Sequence, residues 1–364
     1  MKRVLFITNY ASPYRVLFYD ELAKCMDVTV LFSDRIEEKK HRSSNWFVSG
    51  EGRFKAVQLE KRIASVGSRD LCTDVIDWLK QTWDAVVVCG YAYPTTILAM
   101  TYMRFHRIPF YMEVDGGLIR DTSGIKYWIK RQLIKQPTWW ISSGENTTKY
   151  LVHYGAKMDA VYQYPFTSLW EKDILTCAPD GEQKEKLREK LGLKEEKIVL
   201  YVGRYDPKKG MDDLLHAVPE LDEAAGVYFI GGEPTQEHLK FREDQELTRV
   251  HFVGFQKKDA LAEFYQAADV LVLPTKSDVW GLVINEAMAS GLPVITTDQC
   301  VAGLELVKNG ANGYIVPVDD QQALIHSINK LLAGDYRKMG EAALETIRPY
   351  TIENMVKAHV EIFS

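Results

Sequence analysis

The feature that most constrains the fold is an alternation, kept along the whole chain, of short apolar runs with longer segments of helical period. Such runs predict buried parallel strands, and the segments between them predict the helices that cover a parallel sheet. The first half offers Val4–Thr8, Val28–Leu31, Ala85–Val88, Phe110–Val114 and Trp139–Ile141. The second half offers Ile198–Val202, Val227–Ile230, His251–Val253, Val270–Leu273, Val294–Thr296 and Gly313–Val316. We therefore expect an α/β protein with two doubly wound, Rossmann-like sheets.

The alternation breaks once, in the charged residues 166–193, which contain the turn sequence Pro179-Asp180-Gly181. A chain of 364 residues is long enough for two domains. We predict a first Rossmann-like domain over 1–170, a linker over 171–193 and a second Rossmann-like domain over 194–345. Ligands of open α/β sheets bind at the carboxyl ends of the strands, so we expect the two domains to face each other across a cleft.

Composition excludes several classes of protein. The five cysteines are far apart and form no C-x-x-C pair, which argues against a disulfide framework and a zinc site. The first apolar run ends after Ile7, too early for a signal peptide, and no window approaches the ~20 apolar residues that span a bilayer. We expect a cytoplasmic enzyme that needs neither a metal nor another cofactor and binds no nucleic acid.

The most informative stretch covers residues 278–295. It follows a buried strand, passes through Gly281 and continues as a helix that a Gly-Leu-Pro turn closes. The N-terminus of such a helix offers N–H groups and a positive dipole to a diphosphate. Asp278 and Glu286 can then reach opposite ends of one ligand, such as the sugar and the ribose of a nucleotide-sugar. The alternative is a capping acid and a surface glutamate.

A second motif follows the predicted strand Ile198–Val202. Gly203-Arg204 comes directly after the strand, and Lys209 directly precedes the helical run Met211–Ala217. Both cations are expected at the sheet edge where ligands bind, and there they would neutralise a departing diphosphate. Basic loop residues are more often solvated, so this interpretation depends on the acidic motif downstream.

Together the two motifs resemble the retaining family-4 glycosyltransferases of GT-B fold. Their pattern is a glycine-arginine loop, a lysine-glycine pair, then two glutamates separated by seven residues. The chain matches it within residues 196–320, with Asp278 in place of the first glutamate. The resemblance implies retaining transfer from a nucleotide diphosphate sugar, expected to be a UDP-sugar, with Arg204 and Lys209 on the diphosphate. The donor-binding residues that it implies are Gly203, Arg204, Lys209, Phe255, Asp278, Gly281, Leu282 and Glu286.

The N-terminal half is similar to capsule- or exopolysaccharide-type members of this group. Tyr14 and Arg15, in the turn after the first strand, are candidates for binding the acceptor. Asp115 stands where many relatives place a histidine beside the donor sugar, and a carboxylate there can stabilise an oxocarbenium-like transition state. A capping acid at the strand end is the alternative. The resemblance also implies that a C-terminal helix within residues 346–364 returns to the first domain.

Charge is distributed unevenly. Residues 1–170 carry 23 Lys and Arg against 17 Asp and Glu, and residues 171–364 carry 22 against 33. Residues 122–144 contain no acidic residue and interleave basic residues such as Lys126 and Lys130 with Trp128 and Ile129. This pattern is typical of an interfacial helix on anionic lipid, and equally of a surface helix whose apolar stripe packs inward. The first alternative predicts peripheral contact with the inner face of the cell membrane.

The expected activity is that of a hexosyl- or N-acetylhexosaminyltransferase acting on a glycan or lipid-linked acceptor in polysaccharide biosynthesis. Three other functions stay open. Glu113 and Asp115 could be the acid-x-acid metal ligands of a GT-A transferase. A nucleotide-sugar epimerase or hydrolase would use the same fold. The third is a donor-binding subunit without catalytic activity, because Asp278 replaces the glutamate of the family pattern and Asp115 replaces the histidine that many relatives have.

Overall fold

The computed structural model describes residues 1–34, 52–67, 69–120 and 124–364. The chain divides into two compact units. The first unit comprises Met1–Ser168 and Thr351–Ser364, and the second unit comprises Leu169–Tyr350. Each unit holds a parallel sheet with helices between its strands, which confirms the expected α/β class.

Among the described residues of the first unit, seven strands form one parallel sheet, and two more strands form a separate antiparallel hairpin. In chain order the strands are β1 (Arg3–Thr8), β2 (Asp27–Phe32), β3 (Lys55–Gln58), β4 (Arg62–Val66), β5 (Arg69–Cys72), β6 (Ala85–Cys89), β7 (Tyr111–Val114), β8 (Trp139–Ser142) and β9 (Val161–Gln163). The sheet order is β3-β2-β1-β6-β7-β8-β9, and β4 pairs with β5. Because β1 is central, its residues from Val4 to Ile7 are fully buried, which explains their apolar run.

Helices connect these strands. They are α1 (Pro13–Leu22), α2 (Val75–Leu79), α3 (Pro94–His106), α4 (Gly124–Ile134) and α5 (Glu145–His153). Proline begins α1 and α3, where a missing N–H costs the helix nothing. Of the segment 122–144, residues 122 and 123 lie outside the described residues.

The second unit contains a parallel sheet of six strands, all within the fully described range 169–350. They are β10 (Lys197–Val202), β11 (Ala225–Ile230), β12 (Val250–Val253), β13 (Val270–Leu273), β14 (Val294–Thr297) and β15 (Gly313–Val316). The order β12-β11-β10-β13-β14-β15 reverses between β10 and β13. This reversal is the switch point at which open α/β sheets bind ligands, and both sequence motifs follow the strands that flank it.

The helices of the second unit are α6 (Gly181–Leu191), α7 (Met211–Ala217), α8 (Gln236–Asp244), α9 (Lys258–Ala267), α10 (Leu282–Ala289), α11 (Val301–Leu306), α12 (Gln321–Leu332) and α13 (Tyr336–Ile347). The segment 171–193, predicted as a linker, contains α6 and belongs to the second unit. The turn sequence there begins a helix: Asp180 accepts from the amide of Gln183, and the Gln183 side chain accepts from the amide of Asp180.

The C-terminal helix (Ile352–Phe363) belongs to the first unit. The ring of Phe363 packs 6.3 Å from that of Phe6 and 5.3 Å from that of Tyr111. The side chain of Lys2 donates to the carbonyl of Phe363 at 2.6 Å. The chain thus passes through the second unit and completes the first with its last residues.

Candidate active site

Two loops meet at the switch point of the second sheet. The hydroxyl of Thr275 and the amide of Lys276, beyond β13, both donate to the carbonyl of Lys208, beyond β10, at 2.8 Å. Gly210 has a φ of +69°, and a Cβ on it would lie 1.8 Å from the carbonyl oxygen of Pro274. Only glycine therefore permits this approach, which fastens the loop of the first motif to that of the second.

Lys209 and Asp278 form an ion pair across these loops. The Nζ of Lys209 lies 2.5 Å from Oδ2 of Asp278, and both side chains are mostly buried. The amide of Asp278 donates to the carbonyl of Gln299 at 2.9 Å, which holds the backbone of the acidic loop in place. The structure thus brings together one cation and one carboxylate that the two motifs predicted for the same ligand.

The N-terminus of α10 lies directly beyond this pair in the chain. Gly281 occupies the cap position with a φ of +107°, and a Cβ there would lie 2.8 Å from the Sγ of Cys300. No side chain caps the helix, and its first turn, which starts at Leu282, contains no acidic residue. The positive end of the helix dipole is therefore available to an anion.

Glu286 lies on α10, and the hydroxyl of Tyr265 on α9 donates to its Oε2 at 3.0 Å. Burial, and then the carboxylate of Glu286, raise the pKa of Tyr265, so the phenol stays a donor. The sequence analysis missed Tyr265, because a tyrosine on a neighbouring helix carries no motif. Arg204 follows β10 with an exposed side chain, and its carbonyl accepts from the hydroxyl of Tyr201 at 3.1 Å.

Gly203 and Phe255, the remaining predicted donor residues, follow different strands of the second sheet. Gly203 comes directly after β10, and its amide donates to the carbonyl of Ile230, at the end of β11, at 2.9 Å. Phe255 follows β12 at the sheet edge, two strands from β10, with 72% of its surface exposed. Its role in binding the donor stays a prediction.

In the first unit, Arg15 on α1 is buried among carboxylates. Its Nη1 donates to Oε1 of Glu113 at 2.6 Å, and its Nη2 donates to Oδ1 of Asp115 and lies 3.2 Å from the hydroxyl of Tyr164. Arg15 is 5% exposed, and its guanidinium lies 5.4 Å from the ring centre of Phe166. Its charge is therefore already paired within the first unit, and its role in binding the acceptor stays a prediction.

The two carboxylates titrate in opposite directions. Burial favours the neutral form of Glu113, but Arg15 and His359 outweigh it, and the pKa of Glu113 is lowered. For Asp115, burial and the nearby charge of Glu113 outweigh Arg15, and the pKa is raised. Tyr164, a second residue that the sequence analysis missed, donates to Oδ1 of Asp115 at 3.1 Å. Tyr14, the other acceptor candidate, is half-buried against Phe166, with the ring centres 5.6 Å apart.

The contacts of Glu113 and Asp115 bear on the metal-dependent GT-A alternative. Both carboxylates pair with the cation of Arg15. No cluster of three or more metal-ligating side chains occurs in the part of the chain that the structure describes. Two units with a parallel sheet each disfavour the GT-A alternative.

Helix α4 presents its apolar residues outward. Ile125, Trp128 and Ile129 share one face and are 73%, 59% and 46% exposed. The opposite face packs inward through Tyr127, whose ring lies 5.4 Å from that of Tyr154, and through Ile134, which is fully buried. The alternative in which the apolar stripe packs inward is therefore wrong for these three residues. Among the described helices, none combines the length and the apolar character that crossing a bilayer requires.

Comparison with known proteins finds a family match within the second unit. Residues 183–346 match the family described as glycosyl transferases group 1. An uncharacterized glycosyltransferase of Methanocaldococcus jannaschii is 30% identical over 203 residues, which are 53% of this chain and 51% of that protein. A 41.2 kDa protein in the cps region of Klebsiella pneumoniae is 28% identical, over 65% of this chain and 64% of its own length. The chain spans about half the length of the first of these relatives.

Solved structures extend the likeness to the whole fold. HepE of Anabaena in complex with UDP superposes with a TM-score of 0.76, at 16% identity, over 99% of this chain and 98% of its own. The same protein has also been solved in complex with UDP-glucose, with a TM-score of 0.71. This likeness confirms the predicted GT-B fold with two Rossmann-like domains.

Proposed function

We propose that this protein, whose second unit matches the group 1 glycosyltransferases, is a retaining glycosyltransferase that moves a hexosyl or N-acetylhexosaminyl group from a UDP-sugar. The acceptor is a glycan or a lipid-linked sugar of polysaccharide biosynthesis. The observation that carries the proposal is the Lys209–Asp278 pair at the switch point of the second sheet, 2.5 Å apart and followed by an uncapped helix N-terminus.

The proposed roles follow from charge. In the reaction the bond from the anomeric carbon to the diphosphate breaks, and negative charge builds on the departing phosphate. Arg204, Lys209 and the N-terminus of α10 stabilise that charge, since prearranged donors and cations contribute most where charge develops. Glu286 binds the ribose hydroxyls, and Tyr265 fixes the orientation of its carboxylate.

The acceptor oxygen forms the new bond on the face that the diphosphate leaves, so the anomeric configuration is retained. Its proton passes to the departing phosphate oxygen. Asp278 holds hydroxyls of the transferred sugar. Asp115, a carboxylate at the end of β7, stabilises positive charge on the sugar ring.

The donor and the pathway rest on the relatives. HepE binds UDP and UDP-glucose, which supports a UDP-sugar as the donor here. The protein from the cps region of Klebsiella supports a role in polysaccharide synthesis. HepE is 16% identical to this chain, and the Klebsiella protein is 28% identical over the matched residues.

The test is a transfer assay with UDP-, GDP- and ADP-sugars and a panel of glycan and lipid-linked acceptors. We expect transfer from a UDP-sugar, with the starting anomeric configuration seen by NMR of the product. Lys209→Ala should lower turnover on the order of 100-fold, while Lys240→Ala, which removes an exposed lysine on α8, should leave it unchanged. Inverted product, or full turnover by Lys209→Ala, would refute the mechanism. A free sugar or an epimer formed without acceptor would indicate a hydrolase or an epimerase.

The exposed face of α4 supports a second part of the proposal, contact with an anionic membrane surface. Three large apolar side chains lie outward on this helix, and Lys126 and Lys135 beside them are exposed. Apolar groups that enter the acyl boundary, flanked by lysines that meet anionic headgroups, are what an interfacial helix requires. A lipid-linked acceptor would then be delivered to the enzyme at the membrane.

Sedimentation with vesicles tests this contact. We expect binding to vesicles that contain anionic lipid, weaker binding to neutral vesicles, and loss of binding in Trp128→Ala. Phe105→Ala is the control, since Phe105 is an even more exposed aromatic residue, on α3. Equal loss in both variants, or no binding by the wild-type protein, would contradict the membrane contact.

A further inference from the structure

A histidine from the C-terminal helix joins the buried charges around Arg15. His359 is fully buried, and its Nε2 lies 3.5 Å from Oε1 of Glu113. Its Nδ1 lies 2.7 Å from the carbonyl oxygen of Met355, one turn earlier on the same helix. His359 and Glu113 are far apart in the sequence, so this contact exists only because the C-terminal helix packs on the first unit.

These two contacts determine which ring nitrogens carry a proton. A carbonyl oxygen can only accept, so Nδ1 of His359 must be the donor to Met355. A neutral ring would then turn the lone pair of Nε2 towards Glu113, a carboxylate that Arg15 keeps ionised. Two acceptors facing each other in a buried site are unfavourable, whereas a second N–H on Nε2 forms an ion pair.

The described residues around His359 offer Nε2 no polar partner other than Glu113, so the ion pair with Glu113 offsets the cost of burying this nitrogen. In the described structure this atom makes no hydrogen bond of normal geometry. The ring lies against three aromatic rings, with centres 4.6 Å from Phe18, 4.9 Å from Tyr164 and 5.8 Å from Phe363. These come from α1, from the segment after β9 and from the C-terminal helix itself. Glu113 is the charged group that faces Nε2, with Arg15 behind it.

The balance of charge points the same way. With Asp115 ionised, as its proposed role requires, Arg15 alone faces two carboxylates, which leaves one negative charge uncompensated in the cluster. An imidazolium at His359 supplies the missing positive charge. Glu113 is then neutralised from two sides through its Oε1, and the second arm of Arg15 remains for Oδ1 of Asp115. The side chain of Asp115 keeps 29% of its surface exposed. The contact of its Oδ1 with Arg15 therefore fixes the orientation of the carboxylate while part of it stays accessible to solvent.

We propose that His359 is a positioning residue: in its doubly protonated form it neutralises Glu113 and so lets Arg15 and Tyr164 orient Asp115 for the transferred sugar. The part that concerns Asp115 rests on the proposed function, whereas the protonation of His359 does not. The C-terminal helix thereby contributes a charge to the site without touching the substrate.

Nitrogen NMR of the full-length chain, labelled at its eight histidines, tests the protonation directly. Either His359→Phe or His359→Gln identifies the signals of His359 by their loss. We expect both ring nitrogens of His359 in the wild-type protein to show the shifts of protonated nitrogen at pH 7. The shift of an unprotonated Nε2 would overturn the proposal, whatever the enzyme does.

Kinetics test the positioning. His359→Phe keeps a ring among its aromatic neighbours and removes both nitrogens, and we expect it to lower kcat roughly tenfold or more with the KM for the UDP-sugar unchanged. His359→Gln, which keeps an N–H donor, should lose less. Phe363→Leu is the control, because it weakens the packing of the same helix around His359 and removes no charged or hydrogen-bonding side chain.

A kcat of His359→Phe that matches the kcat of Phe363→Leu would show a merely structural role and overturn the positioning. Absence of any transfer by the wild-type protein would defeat the proposed function instead, and the NMR result would still decide whether His359 carries both protons.

Discussion

Replacing Gly210 with alanine has two effects, backbone strain and a collision between the two loops of the candidate site. A second glycine provides a matched control that shows the strain alone. Gly210 and Gly192 have nearly the same backbone conformation, with φ values of +69° and +70°. A Cβ on Gly192 would meet nothing within 4 Å, whereas a Cβ on Gly210 would lie 1.8 Å from the carbonyl oxygen of Pro274. Both variants place an alanine in the left-handed backbone conformation, which is strained. Only Gly210→Ala also brings a Cβ into collision with Pro274.

The magnitudes follow from these distances. Left-handed alanine costs about 1–2 kcal/mol, so Gly192→Ala should lower the Tm by roughly 2–6 °C. The collision at Gly210 requires the two loops to move apart by more than an ångström, which we take as about 1–3 kcal/mol more. Because Lys209 precedes Gly210 directly, the same movement breaks its 2.5 Å contact with Asp278.

Calorimetric unfolding and UDP titration measure both effects. We expect Gly210→Ala to melt several degrees below Gly192→Ala and to bind UDP at least about tenfold more weakly, a loss of about 1.4 kcal/mol. Gly192→Ala should bind UDP as the wild-type protein does. Equal melting temperatures and equal UDP affinities for the two variants would refute the claim that the close approach of the loops builds the site.

Three further predictions concern single contacts. Tyr265→Phe removes the hydroxyl that donates to Glu286, so we expect weaker UDP binding, by about 1–2 kcal/mol in calorimetry, with little loss of fold. Arg15→Met leaves Glu113 and Asp115 without their cation and should destabilise the protein by about 3–5 kcal/mol in urea unfolding. Glu113 has a lowered pKa in the folded state, so its stabilising contribution is present above about pH 4 and is lost as the pH falls further. The difference in the free energy of unfolding between the wild-type protein and Glu113→Gln should therefore shrink below about pH 4. A difference that stays constant with pH would contradict a lowered pKa of Glu113 in the folded state.

The strands that form the centres of both sheets could be predicted from the sequence, because burial on both faces produces uninterrupted apolar runs. Val270–Leu273, in the middle of the second sheet, was predicted with the bounds that the structure has. The strands that were missed are short or polar. Lys55–Gln58 lies at a sheet edge and is mostly exposed, and the hairpin strand Arg69–Cys72 alternates polar with buried residues. Such strands depend on their neighbours for stability, which a local pattern does not reveal.

The same distinction applies to the sites. Lys209 and Asp278 belong to motifs that follow β10 and β13, which are adjacent parallel strands. The alternation of strands and helices already predicts that both motifs lie at the same edge of the sheet. The partners of Arg15 could not be predicted this way. Its contacts with Glu113 and Asp115 span about a hundred residues, and His359 reaches the cluster from the last helix of the chain. The sequence near Arg15 does not indicate these buried partners, and only its position in the turn after the first strand suggested contact with the acceptor.

The most direct test of the donor site is a calorimetric titration of UDP into the wild-type protein and into Arg204→Ala, Lys209→Ala and Glu286→Ala, with Lys240→Ala as the control. We predict that UDP binds the wild-type protein and Lys240→Ala with equal affinity and that each of the other three variants loses at least about tenfold. Undiminished binding by all three, or no binding of UDP by the wild-type protein, would contradict the placement of a nucleotide-sugar at the switch point of the second sheet.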